Sequence, residues 1–244
     1  MKLKELTILV KLKKEIKYQD VPEALSKVIN SCFLGNEKFE EFHKSNKYKN
    51  YCYSGLFPVD KVGIFFAHEL YSFKFRTLDF EIAEVVTNGL INKVNDFFVV
   101  LNIDHTIKTQ LGSIDSLYTV TPTVAVIDGR KNWIPESKNI NSDENKAFIK
   151  GRIIKNTTNK FKNFMGLNID EYDFIEDVHI LNNIPIVFNY KGGKILSNKL
   201  KVYIKQDNFS QELAFMLLAT GILEKNSLSF GFCTIGKVKH VRAD

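Results

Sequence analysis

Cysteine is scarce in this chain, and the cysteines it has favour neither disulfides nor a metal site. The 244 residues include three, Cys32, Cys52 and Cys233, which are widely spaced and form no C-x-x-C pair. This pattern argues against a disulfide framework and against a cysteine-rich zinc site. It fits the reducing cytoplasm, which is the expected location.

Long apolar runs are missing as well. The sequence has no run of about 20 apolar residues, so no membrane-spanning segment and no membrane partner are predicted. The run of residues 1–14 is short and interrupted by lysines, unlike a signal peptide. Apolar residues still make up 44% of the chain, enough for a sizeable core in one large domain or two small ones.

Motifs for cofactor chemistry are also lacking. No G-x-x-x-x-G-K-[ST] or G-x-S-x-G motif occurs, and the acidic groupings at residues 104–105 and 170–173 match no zinc or calcium pattern. We therefore predict no metal and no cofactor. The 34 lysines and arginines exceed the 28 acids to give a net charge of +6, which permits an anionic partner without requiring one.

Hydrophobic periodicity in the first half predicts the element order β-α-β-β-α-β. Apolar residues alternate from Leu6 to Leu12, as in a strand. Asp20 followed by Pro22 is typical of a capped helix start, and Asp79 is the predicted cap of a second helix. Further strands are predicted at residues 49–56, 63–75 and 98–103, with a short helix around residues 39–42.

The second half repeats this order of elements. Strands are predicted at 117–127, 174–188, 195–205 and 229–241, helices at 143–164 and 209–219, a hairpin turn at 191–194 and a linker at 128–141. The predicted fold is therefore α+β, with tandem ferredoxin-like (βαββαβ) units and a C-terminal glycine-rich loop. The predicted domains are residues 1–113 and 114–244.

His43 is the leading candidate for chemistry, because histidine titrates near neutral pH and is a common proton shuttle. It is interpreted as lying in a loop after the short helix, near Lys47, Tyr48 and Lys49. A proton shuttle with cations and phenols suits RNA cleavage by the RNA's own 2′-hydroxyl, since a cation stabilises charge that builds on phosphorus. The alternative is a surface histidine in a lysine-rich turn, and His105 is a second candidate.

A glycine-bearing loop, residues 221–232, follows the last predicted helix. Glycine lets backbone N–H groups approach a phosphate, and Lys225 adds positive charge. On spacing alone, a helix C-cap at Gly221 followed by an ordinary turn is the better explanation of the same residues.

Two stretches carry basic residues without an acid. Residues 150–164 include Arg152 and Lys155. Residues 191–205 include three lysines that are separated by even numbers of positions, namely Lys199, Lys201 and Lys205. In a strand these three lysines share one face, because residues two apart point the same way. Such a stripe either follows an RNA backbone or is a solvated face.

Three places in the sequence resemble the CRISPR repeat-processing endoribonucleases of the repeat-associated RNA-binding superfamily. His43 lies where many members keep the catalytic histidine, and residues 49–56 are similar to the family's second strand. Leu223 and Ser229 stand where the family's loop has glycines. The loop positions that match the family are Gly221, Lys225, Ser227, Phe230 and Gly231. The resemblance covers nearly the whole chain in length and element order.

The resemblance implies a metal-independent endoribonuclease that cleaves CRISPR repeat RNA to release guide RNAs, leaving 2′,3′-cyclic phosphate and 5′-hydroxyl ends. His43 would be the general acid or base, Lys49 or Lys47 would stabilise the transition state, and Tyr48 or Tyr51 would replace the family's helical tyrosine. Precursor CRISPR RNA is the implied partner, and an interference complex or a second copy of the chain is a further expectation. A non-cleaving RNA-binding relative and a ferredoxin-like scaffold without a nucleic-acid role are the alternatives.

Overall fold

The computed structural model describes residues 1–35, 37–45, 48–110, 112–129, 131–135 and 139–236, with only the backbone of His43 and Lys44. Helices and antiparallel sheets are mixed along this part of the chain, which confirms the predicted α+β class. Among these residues, none of the helices combines the length and apolarity that a membrane crossing requires.

The first half builds a four-stranded antiparallel sheet with helices packed on one face. Its elements are β1 (Lys2–Leu12), β2 (Ile16–Lys17), α1 (Val21–Cys32), α2 (Glu37–Lys44), β3 (Tyr51–Tyr53), β4 (Ile64–Phe65), β5 (Leu70–Thr77), α3 (Phe80–Asn92) and β6 (Phe98–Thr109). The strand order is β3-β5-β1-β6. Alternate residues of β1, such as Leu6 and Ile8, are fully buried in the core that this sheet shares with α1 and α3.

The second half builds another four-stranded sheet. Its elements are β7 (Ser116–Thr119), β8 (Val126–Ile127), β9 (Lys131–Asn132), α4 (Asp143–Met165), β10 (Ile175–Ile180), β11 (Ile186–Tyr190), β12 (Gly193–Ser197), β13 (Leu200–Ile204), α5 (Asn208–Thr220) and β14 (Cys233–Ile235). The strand order is β10-β13-β7-β14, with antiparallel neighbours. The four strands of each sheet can be counted in the order in which they occur in the chain. Counted in this way, both sheets have the same spatial order, with the second strand at one edge, followed by the third, the first and the fourth.

The two aspartates predicted to cap helices behave differently. The Asp79 carboxylate accepts hydrogen bonds from the N–H groups of Glu81 at 2.9 Å and Ile82 at 3.4 Å, which confirms the cap of α3. Asp20 makes no capping hydrogen bond at α1 and accepts one from the Asn189 side chain at 2.7 Å instead. A contact with the β11–β12 hairpin thus replaces the predicted local cap.

Several predicted strands are shorter than the pattern indicates. The predicted strand 49–56 reduces to β3, and the predicted strand 117–127 divides into β7 and β8. Strand 229–241 reduces to β14, with residues 237–244 outside the described part. Before β14 the backbone adopts positive φ at Ser229 and Gly231, which extended strands do not allow. The predicted linker contains β9 and a buried Trp133, whose ring stacks on Phe148 at 5.0 Å.

The predicted hairpin around residues 191–194 is present but belongs to a small sheet of its own. β11 and β12 pair with each other and turn at Lys191 and Gly192, which both have positive φ. β10 pairs with β13 instead of continuing into the hairpin. The hairpin is thus an insertion between the second and third strands of the C-terminal sheet.

A buried arginine on β5 joins the two halves. Arg76 Nε donates to Glu5 Oε2 at 2.6 Å, within the N-terminal sheet. Its Nη1 donates to the backbone oxygens of Leu218 at 3.2 Å and Cys233 at 2.7 Å, in the C-terminal half. One guanidinium therefore satisfies acceptors on both sides of the interface.

The carboxylate of Glu5 is held charged by this arrangement. Burial alone would raise the pKa of Glu5, but Arg76, Lys74 and Lys108 together lower it to about 2. The two lysines reach Glu5 Oε1 at 2.9 Å each, from the half-exposed rim.

We expect Arg76→Met to lower the free energy of unfolding by roughly 3–5 kcal/mol, because it leaves a buried carboxylate without its main partner. Urea unfolding measures this loss. Lys108→Met is the matched control, since a partly exposed lysine contributes under about 1 kcal/mol. Equal losses in the two variants would contradict the assignment.

Candidate functional site

An open cavity of about 300 Å³ lies where the two halves meet, and several residues singled out from the sequence line it. The segment after α2 contributes Tyr48 and Lys49. The loop after α5 contributes Lys225 and Ser227, and α4 contributes Lys160. Parts of the chain that are far apart in sequence thus share one site, called the interhalf cavity below.

The ammonium of Lys160 is buried under the loop and holds its backbone. Its Nζ donates to the backbone oxygens of Gly221 at 2.7 Å and Leu223 at 3.0 Å, and to Asn226 Oδ1 at 2.7 Å. These contacts use all three donors of an ammonium group. Burial lowers the pKa of Lys160 to about 8.

Asn226 closes the loop from within. Its Nδ2 donates to the backbone oxygens of Ile222 at 3.2 Å and Phe230 at 2.9 Å, while its Oδ1 accepts from Lys160. The amide therefore ties the two ends of the loop together and links both to α4.

The sequence alone did not identify Lys160 and Asn226 as the residues around which the site is built. Lys160 follows Ile149, Ile153 and Asn156 at spacings of four, three and four, which is the periodicity of one helix face. All four residues are buried. The signal was present, but a lysine at such a position is normally exposed.

The loop backbone is left-handed at several positions, which turns it tightly around Asn226. A Cβ added to Gly231 would lie 2.1 Å from the backbone oxygen of Ile222, so no other residue fits there. The loop residues with positive φ are Gly221 (79°), Leu223 (62°), Lys225 (59°), Ser229 (69°) and Gly231 (71°).

Leu223 and Ser229 are the positions where this sequence replaces glycines of the family it resembles. Both residues adopt the left-handed conformation, which glycine adopts without strain and other residues adopt at a cost of about 1–2 kcal/mol. The loop therefore keeps a glycine-type backbone at these positions despite the substitutions.

Lys49 fastens the end of α2 at the cavity wall. Its Nζ donates to the backbone oxygens of Phe42 and Ser45, the latter at 2.7 Å, and lies 4.8 Å from the centroid of the Phe42 ring. A cation at these carbonyls is favourable, because the C-terminal end of a helix carries partial negative charge. Burial lowers the pKa of Lys49.

His43 lies within α2 and not in a loop after it, so the predicted loop position is wrong. The helix continues through Lys44, and Lys49 supplies a donor for its terminal carbonyls. The side chain of His43 and the whole of Lys47 lie outside the described residues. The backbone of His43 nevertheless belongs to the helix turn that Lys49 holds.

Three residues that line the cavity each carry a buried polar atom that is unpaired among the described residues. Asn50 Oδ1, the Tyr51 hydroxyl and Asn156 Oδ1 are buried and have no hydrogen-bond partner within the described part of the chain. Leaving such a group unpaired costs about 1–3 kcal/mol. Nearby, the Tyr53 hydroxyl donates to the backbone oxygen of Ser227 at 2.7 Å and fixes the loop against β3.

Two residues predicted to bind RNA have structural partners instead. Arg152 forms an ion pair with Glu224 of the loop and donates to the backbone oxygen of Val126 at 3.1 Å. Phe230 is fully buried, with its ring 5.4 Å from that of Phe188, which leaves no face for a base. Both residues therefore hold the loop in place.

The predicted lysine stripe is wrong, because only Lys201 of its three lysines lies in a strand and all three are partly buried. Lys201 alternates with buried neighbours on β13, and its Nζ lies 4.5 Å from the centroid of the Tyr203 ring. Lys205 donates to Asp173 Oδ2 at 2.9 Å, Lys199 lines a separate pocket, and Lys155 is exposed on α4. None of these lysines lines the interhalf cavity.

Solved structures with the same fold include CRISPR-associated proteins and a protein described as binding RNA. A CRISPR-associated protein Cas6 superposes with a TM-score of 0.67 at 18% identity, covering 96% of this chain and 100% of that chain. A RAMP protein binding different RNA substrates superposes with a TM-score of 0.74 at 16% identity, covering 96% of this chain and 100% of that chain. The product of a Cas6-related gene from Pyrococcus furiosus superposes with a TM-score of 0.69 at 16% identity, covering 98% of this chain and 99% of that chain.

The chain therefore has the fold of the RAMP protein described as binding different RNA substrates. It also has the fold of the CRISPR-associated protein Cas6, so the resemblance noted in the sequence is confirmed at the level of the fold. No family model matches the sequence, and no curated protein sequence matches it.

We expect Lys160→Met to lower the free energy of unfolding by more than about 2 kcal/mol, because it leaves two carbonyls and an amide oxygen unpaired. Hydrogen exchange of residues 221–231 should accelerate more than exchange in the sheets. Lys155→Met on the same helix is the control and should change stability by less than about 0.5 kcal/mol. Unchanged exchange in the loop of the Lys160 variant would contradict its role.

We expect Gly231→Ala to destabilise the protein severely, since its Cβ would overlap the backbone oxygen of Ile222. Gly151→Ala is the matched control. Gly151 lies within α4 with no atom within 4 Å of an added Cβ, so alanine should stabilise that helix by up to about 1 kcal/mol. Thermal unfolding of the two variants should shift in opposite directions.

Proposed function

We propose that this protein is a metal-independent endoribonuclease that binds CRISPR repeat RNA and cleaves it to release guide RNAs. The observation that carries the proposal is the interhalf cavity, where the segment after α2 meets the glycine-bearing loop. Solved structures of this fold include a Cas6 product complex and Thermus thermophilus Cse3 bound to an RNA representing a pre-cleavage complex. These neighbours support repeat RNA as the substrate class.

The proposed reaction is attack of a ribose 2′-hydroxyl on the adjacent phosphorus. A bond forms between O2′ and phosphorus, and the bond to the 5′ oxygen of the next nucleotide breaks. The products carry a 2′,3′-cyclic phosphate and a 5′-hydroxyl. One group must remove the 2′-hydroxyl proton, and another must protonate the departing 5′ oxygen.

His43 is the proposed general acid or base, and the Tyr48 phenol at the cavity is the proposed second proton-transfer group. Lys47 is the proposed cation that stabilises charge on phosphorus, assisted by Lys225 from the loop. Lys49 contributes differently from the sequence-based expectation. Its ammonium binds the carbonyls at the end of α2, so we assign it to positioning the helix that carries His43.

The proposed RNA grip has two parts. The first is the loop, in which the buried Gly221 and Gly231 permit the tight backbone, and Lys225 and Ser227 are the residues at the cavity that contact phosphate. The second is a set of lysines outside the cavity, the exposed Lys155 and the partly buried Lys199, Lys201 and Lys205, which contact phosphates without reading sequence.

We interpret the two sheets as tandem ferredoxin-like units that correspond to residues 1–113 and 114–244. The shared strand order supports this interpretation. The boundary falls between the end of β6 at Thr109 and the start of β7 at Ser116. The loop that contacts RNA follows the last helix of the second unit.

The second candidate function is RNA binding without cleavage. The engagement of Lys49 by helix carbonyls favours it, because it removes one predicted catalytic cation from the reaction. A neighbour described as a RAMP protein binding different RNA substrates has the same fold. Product analysis separates this function from the first.

Cleavage of the cognate repeat RNA in EDTA is the decisive test. We expect the wild-type protein to cut at one position and to leave a 2′,3′-cyclic phosphate. His43→Ala should lower the single-turnover rate by about 10²–10⁴-fold while RNA affinity is retained, because a general acid or base typically contributes that factor.

His105→Ala is the matched control. His105 is exposed on β6 and does not line the interhalf cavity, so its loss should leave the rate unchanged. A requirement for magnesium, or equal cleavage by the His43 variant, would refute the mechanism. Tight binding of an RNA that stays intact would establish the second candidate function.

A further inference from the structure

A second cavity of about 210 Å³ lies on the other side of the loop. It is called the aromatic pocket here. Segments from both halves and from the β11–β12 hairpin converge on it. Its lining residues include Tyr18, Phe57, Phe65, Phe188, Lys199 and Ser229.

The size and walls of the pocket suit one planar ring system. Drug-sized ligands occupy roughly 300–1,000 Å³, so this pocket is small. The rings of Tyr18 and Phe188 lie 5.3 Å apart at 44°, and Phe230 packs behind Phe188 at 5.4 Å. Phe65 and Phe188 are buried, whereas Phe57 is 36% exposed. Phe57 therefore marks the mouth of the pocket.

The hairpin wall is fixed before any ligand arrives. The Asn189 side chain donates to Asp20 at 2.7 Å, and the Lys191 N–H donates to Glu23 at 2.8 Å. These bonds anchor the hairpin that carries Phe188 to the start of α1. A prepared pocket loses less conformational entropy on binding than one that must form.

The charge at the pocket favours an anionic ligand. Lys199 is the one charged residue among the described residues that line it. An apolar side chain of a protein partner would not need this cation. A nucleotide needs both parts, since its base is a planar ring and its phosphate is an anion.

The pocket is also close to the interhalf cavity. Ser229 lines the aromatic pocket and Ser227 lines the interhalf cavity, so their Cα atoms are within about 8 Å of each other. The intervening backbone is held by Asn226 and Lys160. One RNA strand that crosses the loop can therefore reach both cavities.

We propose that the aromatic pocket receives one unpaired base of the bound RNA, stacked against the rings at its mouth. Sequence-specific recognition of RNA commonly uses splayed bases that stack on aromatic side chains. The pocket then selects the nucleotide that sets the register of the strand across the loop. This inference rests on the proposed binding of RNA and is independent of whether the RNA is cleaved.

The test combines protein variants with an abasic scan of the repeat RNA. Affinities are measured for wild-type protein, Phe57→Ala and Phe66→Ala, each with intact RNA and with RNAs that lack one base in turn. Phe66 is the matched control because it is 42% exposed and does not line the pocket. Phe57→Leu keeps apolar volume without a ring face, and thermal unfolding checks that every variant is folded.

We expect Phe57→Ala and Phe57→Leu to weaken binding of intact RNA roughly 5- to 100-fold, with no change for Phe66→Ala. One abasic position should weaken wild-type binding similarly, and the Phe57 variants should lose nothing further on that RNA. Equal losses of wild-type affinity on every abasic RNA would overturn the inference. The inference would also be overturned if no abasic RNA bound more weakly, and a protein side chain would then be the remaining candidate for the occupant of the pocket. Failure of the wild-type protein to bind any RNA would overturn the proposed function as well.

Discussion

The candidate site depends on one buried ammonium, that of Lys160. Removing a cation from water costs several kcal/mol unless hydrogen bonds replace the lost hydration. Here the replacement comes from the carbonyls of Gly221 and Leu223 and from the Asn226 side chain. The energetic demand of the charge therefore dictates the loop conformation. Because the loop borders both cavities, the same contact shapes the interhalf cavity and the aromatic pocket.

The two halves are joined by buried polar contacts as well as by the shared apolar core. Leu3 and Leu78 of the first half pack in the core of the second. Arg76 bonds to acceptors in both halves, and Tyr53 bonds to the loop. A site assembled across such an interface keeps its geometry, because movement of either half would leave buried polar groups unpaired.

The structure also changes the roles of residues that the sequence suggested for chemistry. Lys49 and Arg152 are basic and lie near the loop or the cavity, yet their charged groups bind helix carbonyls and Glu224. Phe230 is aromatic, yet both faces of its ring are buried. These residues therefore support the loop and the end of α2. The groups left at the cavity surface are fewer, and they include Tyr48 and Lys225.

Local sequence determined the α+β class, the order of the elements and the Asp79 cap, because periodicity and capping act over a few neighbouring residues. It also indicated the glycine-bearing loop and the segment after α2 as places for function. Tertiary structure decided which side chains are buried. Rules for isolated elements make Asp20 a helix cap and leave the side chain of Lys160 exposed, but the partners of Lys160 and Asp20 lie 61 and 169 positions away. Hydrogen bonds between such distant residues decide whether a charge is exposed or buried, and no local pattern encodes that.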